Sequence, residues 1–236
     1  MQSVEIKAVC RLHSRYTPML ETTKELEDLS QELRTTAWPE RLQANAQTIS
    51  DLVASGLSAS ALKEGNVAPD FALPDTHGHV LALKTLLDRG PVVISFYRGG
   101  WCPFCNLELR GLQRVLPEIV QVGASLVAIS PQLPDNSLST EEKNQLTFPV
   151  LSDVGNIIAK CFGIVFTLPT ALVDANNAIG RDLVEINGEA GAAQLPMPAT
   201  FVLDKSGVIR LAFIEEGWSK RLDPDIVVDT LRGLGK

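Results

Sequence analysis

Basic clusters are missing from this chain. Its 21 lysines and arginines are outnumbered by 28 aspartates and glutamates, giving a net charge of -7. No run of Lys and Arg could track a phosphate backbone, which speaks against a nucleic-acid partner. Apolar runs long enough for a membrane span are also missing, so no membrane partner is expected. The opening stretch MQSVEIKAVCRLHSRY lacks the basic segment and apolar core of a secretory signal, and a cytoplasmic protein is expected. Cysteine is scarce: the four residues, at 10, 102, 105 and 161, are too few and too unevenly spaced for a disulfide scaffold. In a reducing compartment a Cys-x-x-Cys is catalytic or metal-binding rather than structural. Zinc would need two further ligands, and neither a second Cys-x-x-Cys nor a His-x-x-x-His supplies them.

What is present concentrates in residues 92 to 116, VVISFYRGGWCPFCNLELRGLQRVL. Val92 to Phe96 form a β-branched and aromatic run suited to a central strand of a parallel sheet. Gly99-Gly100 turns the chain, and Cys102 and Cys105 follow. Leu107, Leu109, Leu112, Val115 and Leu116 then keep a helical spacing, which places the cysteine pair in the first turn of a helix with Pro103 at its first position. Unpaired N–H groups and the positive end of the helix dipole stabilise a thiolate there. Residues three apart on a helix are neighbours, so the two sulfurs can close a disulfide with little backbone movement. Cys102 is expected to be the more exposed of the two. Arg98 and Arg110 are the basic residues nearest the pair, able to support a thiolate or simply solvated, and Trp101 either shields the site or packs on the sheet.

With 236 residues, 45% of them hydrophobic, the chain can hold one large core and an extension. Residues 18 to 58 read as helical: Leu26, Leu29 and Leu33 share a face, Pro39 opens a second helix with Leu42, Ala46, Ile49 and Val53, and Gly56 ends it. Such stripes either cover part of the main domain or meet a second copy, and a homodimer contact is expected. The division expected is a helical extension over 1–62 and a main domain over 63–236. Beyond Gly65, two short strands flank a turn at Asp75 to His79, whose histidines read as solvated. SLVAIS (125–130) is a second buried strand, Asp135 to Lys143 a helix, and Asp153 to Phe162 another that holds Cys161 as a small core residue. Residues 174–196 read as an irregular insertion or a hairpin. A hairpin over 200–214 and a helix opened by Asp223-Pro224 close the chain. Alternating strands and helices with a terminal hairpin give an α/β fold with a mixed sheet flanked by helices.

The phrases NVAPDFALPD, PVVISFYRGGWCPFC, FPVLSD and ATFVLDKSGVIR, in this order, resemble the peroxiredoxin (AhpC/TSA) branch of the thioredoxin-fold superfamily over roughly three quarters of the chain. The resemblance implies a thioredoxin-like fold with an N-terminal helical extension. It departs from the family at informative places. The family's proline after Phe-Tyr becomes Arg98, its threonine becomes Cys102, its peroxidatic cysteine falls on Cys105, and its later arginine falls on Pro198. Cys102 with Pro198-Ala199-Thr200-Phe201 instead resembles the dithiol thioredoxins, and a cis Met197–Pro198 bond against the cysteine pair is expected from that likeness.

The function expected is a thiol-dependent peroxidase. A cysteine of low pKa attacks a hydroperoxide, its partner condenses to a disulfide, and thioredoxin or a similar reductant reopens it. No metal, flavin or haem is implied. A protein thiol-disulfide oxidoreductase and a non-enzymatic redox sensor are the alternatives from the same site. Peroxiredoxin spacing assigns the attack to Cys105, whereas position at the helix start favours Cys102. Cys10 is read as a stray thiol or a resolving one.

Overall fold

Val92–Phe96 is apolar but for Ser95, and a strand of that composition must be covered on both faces. All five residues are buried. The computed structural model describes residues 21–217 and 219–235; Cys10 and His13 lie outside them.

The chain opens with helices Glu21–Thr36 (α1), Pro39–Ser55 (α2) and Leu57–Ser60 (α3). A hairpin of Ala72–Pro74 (β1) and Val80–Ala82 (β2) and a short helix, Leu83–Leu87 (α4), lead to Val92–Phe96 (β3). There follow Pro103–Gln121 (α5), Ser125–Ser130 (β4), Pro134–Asn144 (α6), Val150–Ser152 (β5) and Ile157–Cys161 (α7). Next come Val165–Thr167 (β6), Thr170–Asn177 (α8), Leu183–Asn187 (α9) and Gln194–Pro196 (β7). Ala199–Leu203 (β8), Ile209–Ile214 (β9) and Pro224–Leu234 (α10) close the chain. Among the described residues no helix is long and apolar enough to cross a membrane.

The central sheet has the order β5-β4-β3-β8-β9. Strand β3 lies parallel to β4, with Phe96 opposite Ile129, and antiparallel to β8, with Phe96 opposite Ala199. The sheet is mixed, as expected. Side chains alternate along β3. Val93 and Tyr97 face a layer built by α5 and α10, where Leu109, Leu112, Ile119, Val227 and Leu231 are buried. Val92, Ile94 and Phe96 face the other layer, where Phe162 packs 4.9 Å from Phe96 and 4.8 Å from Phe201, ring centre to ring centre.

The first two helices straddle these layers. Leu26 of α1 is buried in the α5/α10 layer, and Arg114 of α5 donates to Thr22 and Glu25 at 2.7 and 3.0 Å. Close approach depends on Gly111, where a Cβ would stand 2.6 Å from the Thr22 hydroxyl. Leu52 of α2 is buried in the opposite layer, on the side of α8, and Arg41 donates to Asn176. The arm therefore bends at Trp38-Pro39. Pro39 takes the first helical position of α2, and Gly56 caps it in the left-handed region at φ 67°. The stripes from which a homodimer is expected are thus covered, in large part, by the arm's own chain.

Several expectations need correction. Residues 174–196 are not an irregular insertion: they complete α8, form α9 and supply β7, and only β7 belongs to an antiparallel pair, with β6. Helix α9 is only five residues long and set by its Asp182 cap, whose carboxylate accepts from Val184 N–H at 2.8 Å, too short a segment to show a period. The helix expected from Asp153 begins at Ile157, because the Asp153 carboxylate turns back to accept from the Ile158 and Ala159 N–H groups. Cys161 is exposed, not core, since Ala159 and Phe162 form the inner face there. No described peptide bond is cis, Met197–Pro198 included; Pro198 enters β8 as extended chain, its carbonyl accepting from Glu215 N–H at 3.5 Å. The Asp75 turn is as expected, its carboxylate accepting from the His77 and His79 N–H groups at 2.8 Å each.

Phe162→Ala removes the ring that joins Phe96 to Phe201 and should cost about 3–5 kcal/mol of stability in urea unfolding; a loss below about 1 kcal/mol would show that this stack does not hold the layer together.

Candidate active site

Strand β3 ends at the edge of the sheet where the parallel strands β4 and β5 also end, and there the chain must reverse into α5. Gly99 makes the reversal at φ 147°, a conformation side chains disfavour, and a Cβ on Gly99 would meet Trp101. Gly100 N–H donates to Gln132 Oε1 at 2.7 Å, and Asn106 donates to the Gly100 carbonyl at 2.9 Å. Asn144 in turn donates to Asn106 Oδ1 at 3.0 Å. This buried polar chain pins the loop before the thiols are reached.

Cys102 is the N-cap of α5, Pro103 occupies the first helical position, and Cys105 lies in the first turn. The sequence reading of this turn holds. Both thiols are free, and both are buried, Cys102 at 2% exposure and Cys105 at 0%. Cys102 is the more exposed of the two, as expected, though only slightly, because residues of α1 and α2 and Trp101 stand around it. It lines a cleft of about 660 Å³ between the arm and the sheet edge, and Cys105 does not.

Beneath the thiols lies a charged group that the sequence reading missed. Arg221 donates from Nη2 to Cys105 Sγ at 3.1 Å and from Nε to Glu108 Oε2 at 2.5 Å. Its Nη1 donates to the Lys220 carbonyl at 2.6 Å, and Thr200 donates to Glu108 Oε1 at 3.3 Å. The Arg221 and Glu108 side chains are 1% and 2% exposed. Burial pushes the Glu108 carboxyl upward and Arg221 opposes it; burial also works against the Arg221 charge, yet Cys105 and Glu108 hold that guanidinium above its ordinary range. Glu108 carried a visible signal, being three residues after Cys105 and so on the same buried face of an apolar helix. Arg221, in SKRLDP, carried none.

The expected residues separate cleanly. Arg98 is buried beside the thiols, and its guanidinium lies 4.9 Å from the centre of the Trp101 ring. Arg181, in the stretch read as irregular, lies 4.6 Å from the same ring and donates to the Trp101 carbonyl at 3.4 Å. Arg110 is elsewhere: it is exposed and donates to Asn144 at 3.0 Å, on the face of α5 turned toward α6. Pro198 is buried ahead of β8 and does not line the cleft.

The thiols titrate as a pair. A hydrogen bond donated by Cys105 holds Cys102 well below the ordinary thiol range, with Arg98 and Arg221 assisting against burial. Burial pushes Cys105 well up, and donation to Cys102 adds to this. Nearby charges act in the same sense: Arg98 and Arg221 favour a thiolate on Cys102, while that thiolate and Glu108 work against a second one on Cys105.

These features define a thiol oxidoreductase of thioredoxin-like fold. The AhpC/TSA family model matches residues 65–212. A Mycobacterium tuberculosis protein named as a peroxiredoxin is 34% identical over 103 residues, 44% of this chain and 67% of that protein. The thiol-disulfide oxidoreductase ResA of Bacillus thuringiensis subsp. konkukian is 32% identical over 133 residues, 56% of this chain and 73% of that one. The crystal structure of peroxidoxin BcpB from Mycobacterium tuberculosis matches with a TM-score of 0.58 and 25% identity, over 73% of this chain and 98% of that one. The chain belongs to the AhpC/TSA family and is an oxidoreductase of the peroxiredoxin type, a thiol-dependent peroxidase.

Because the Cys102 shift is downward, its alkylation rate should hold as pH falls below the ordinary thiol pKa of ~8.5 and drop only below the folded value. Arg221→Met should move that midpoint up, and should destabilise the protein by about 3–5 kcal/mol through the unpaired Glu108. In Arg221→Met/Glu108→Gln the stability should return in part while the midpoint stays high, since the buried carboxylate is gone but the guanidinium is not restored. An unchanged alkylation profile in either variant would remove Arg221 from the thiolate's support.

Proposed function

We propose that the protein reduces hydroperoxides through a Cys102/Cys105 dithiol cycle. The Cys102 thiolate attacks the distal peroxide oxygen, the O–O bond breaks, and the leaving alkoxide takes a proton and departs as an alcohol, or as water from hydrogen peroxide. Cys102 is left as a sulfenic acid. The Cys105 thiol condenses with it, forming the disulfide and releasing water. A dithiol reductant of the thioredoxin kind then returns two electrons by thiol–disulfide exchange.

The observation that carries this reading is the placing of the two sulfurs: Cys102 at the floor of the cleft and Cys105 behind it, wholly buried against Arg221. A small hydroperoxide can reach such a thiolate. Arg98 supports it as a nucleophile and can stabilise the charge that develops on the leaving oxygen. Together with Arg221 it would do the work for which the family's threonine and arginine are missing here.

The likeness to a thiol-disulfide oxidoreductase favours a second reading, in which Cys102 attacks a protein disulfide. The burial of Cys102 under α1 and α2 weighs against it, since a protein disulfide is too bulky for the cleft. The helices over 21–55, expected as an appendage, belong in this proposal to the site itself. For a homodimer the arm leaves Trp38 and Val53 as its large exposed apolar side chains; a concentration-independent monomer in sedimentation would remove the dimer from the proposal.

The assignment is tested by single-turnover oxidation followed by intact mass. Cys105→Ser should react with peroxide as fast as wild type within about threefold and stop at a sulfenic acid on Cys102, while Cys102→Ser should lose more than about a hundredfold in rate. A Cys102→Ser protein that is oxidised at the wild-type rate would hand the attack to Cys105. Rapid insulin-disulfide reduction without peroxide turnover would favour the second reading.

A further inference from the structure

The helix that fixes Cys105 does not fix Cys102. Cys105 stands in the first turn of α5, whereas Cys102, as its N-cap, belongs to the loop before it. That loop begins with Gly99 and Gly100, residues with little conformational restraint of their own. The place of the Cys102 sulfur relative to Cys105 is therefore set by what holds residues 99 to 101. At Gly100 two side chains take opposite ends of the residue: Gln132 accepts from its N–H at 2.7 Å, and Asn106 donates to its carbonyl at 2.9 Å. Asn106 rises from α5 itself, one residue after Cys105, so its contact ties the loop to the helix. Gln132 comes from outside, in the turn between β4 and α6.

Gln132 is held on every side. It is buried, and its Nε2 donates to the Asn136 carbonyl at 3.2 Å, which fixes the amide with Oε1 turned to Gly100. Its own N–H donates to the Ser130 hydroxyl at 3.3 Å. The next residue, Leu133, donates through its N–H to the Ile186 carbonyl at 3.0 Å, and the Asn136 side chain donates to the same carbonyl at 3.1 Å, so the start of α6 is moored to α9. Gly100 lies so close to α6 that a Cβ there would collide with the Thr140 hydroxyl. Gln132 does not line the cleft over Cys102, so what it does for the reaction it does through the loop.

We propose that Gln132 is a positioning residue for disulfide closure: by gripping the Gly100 N–H it keeps a sulfenic acid on Cys102 turned toward Cys105, so that closure outruns a second oxidation. The proposal rests on the peroxidase reading of Cys102. Two fates compete for the sulfenic acid. In one, the Cys105 sulfur attacks it, the S–O bond breaks, the S–S bond forms, and the oxygen leaves as water with its own proton and that of the Cys105 thiol. In the other, a second hydroperoxide passes an oxygen to the same sulfur and leaves as an alcohol or water, and the sulfinic acid that results is not reduced by thiols. Closure is intramolecular and steep in alignment, where a misplacement of about 1 Å can cost ~100-fold. The second oxidation is bimolecular and needs only access from the cleft. A loosened loop loses the first and keeps the second.

The partition is read by intact mass after the full chain is oxidised with graded hydrogen peroxide, as the concentration at which half of the protein carries a sulfinic acid in place of the disulfide. In Gln132→Met, which keeps the length of the side chain and removes the acceptor, that concentration should fall at least about tenfold. The rate of the first oxidation, taken above the Cys102 alkylation midpoint of each variant, should stay within about threefold of wild type. Phe162→Ala, which destabilises the opposite layer, should leave the partition at the wild-type value. In Cys105→Ser, where closure is impossible, adding Gln132→Met should leave the rate of sulfinic acid formation unchanged. If Gln132→Met does not fold, Gly100→Ala displaces the same loop with Gln132 intact and should give the same shift. An unchanged partition in the loop variant, a shift of equal size in Phe162→Ala, or a faster second oxidation in the Cys105→Ser background would overturn this inference and leave the peroxidase reading standing. Failure of peroxide to form any sulfenic acid on Cys102 would overturn both.

Discussion

The interaction on which the site depends is the buried contact among Arg221, Glu108 and Cys105, with Arg98 on the other side of the sulfurs. A guanidinium does not deprotonate under these conditions, so its charge must be met by something buried with it. Glu108 meets Arg221. A hydrogen bond from Cys105, with Arg98 and Arg221 assisting, favours a thiolate on Cys102, so its low pKa is a product of folding and not of the helix start alone. Cys105 cannot share the thiolate state, because a second negative sulfur would lack a partner.

Two parts of the chain far apart in sequence complete this arrangement. Arg221 arrives from the segment before α10, and its neighbour Asp223 both caps that helix and accepts from Thr23 of α1 at 2.7 Å. The arm, the C-terminal helix and the charged floor are therefore tied at one place. Where the family places an arginine ahead of the Thr-Phe strand this chain has Pro198, yet a guanidinium still reaches the sulfurs from residue 221. The positive charge is kept while its point of attachment to the chain has changed, which separates the electrostatic requirement from the motif that ordinarily marks it.

Much of the fold was legible because its signals are local. Val92 to Phe96 could only be a covered strand, Gly99-Gly100 only a turn, and Pro103 and the leucine spacing behind it only a helix, so the cysteines fell at the helix start. Pro39 and Gly56 marked the second arm helix for the same reason. What was not legible is the set of contacts between segments far apart in sequence. Nothing in SKRLDP says that Arg221 is buried, and no spacing says that the bend at Trp38 brings Arg34 and Arg41 over the thiols. Cys161 was misread because an apolar helix of five residues does not say which way it faces. The cis proline was carried over from the dithiol thioredoxins, but here the turn is made by an extended link between β7 and β8.

The charge balance also changes with redox state. In the proposed cycle, forming the Cys102–Cys105 disulfide would remove the negative sulfur on which Arg98 and Arg221 both act. The charges that favour the thiolate would then no longer favour the loop that carries it, so the same electrostatics set the reduced and oxidised forms of the site apart.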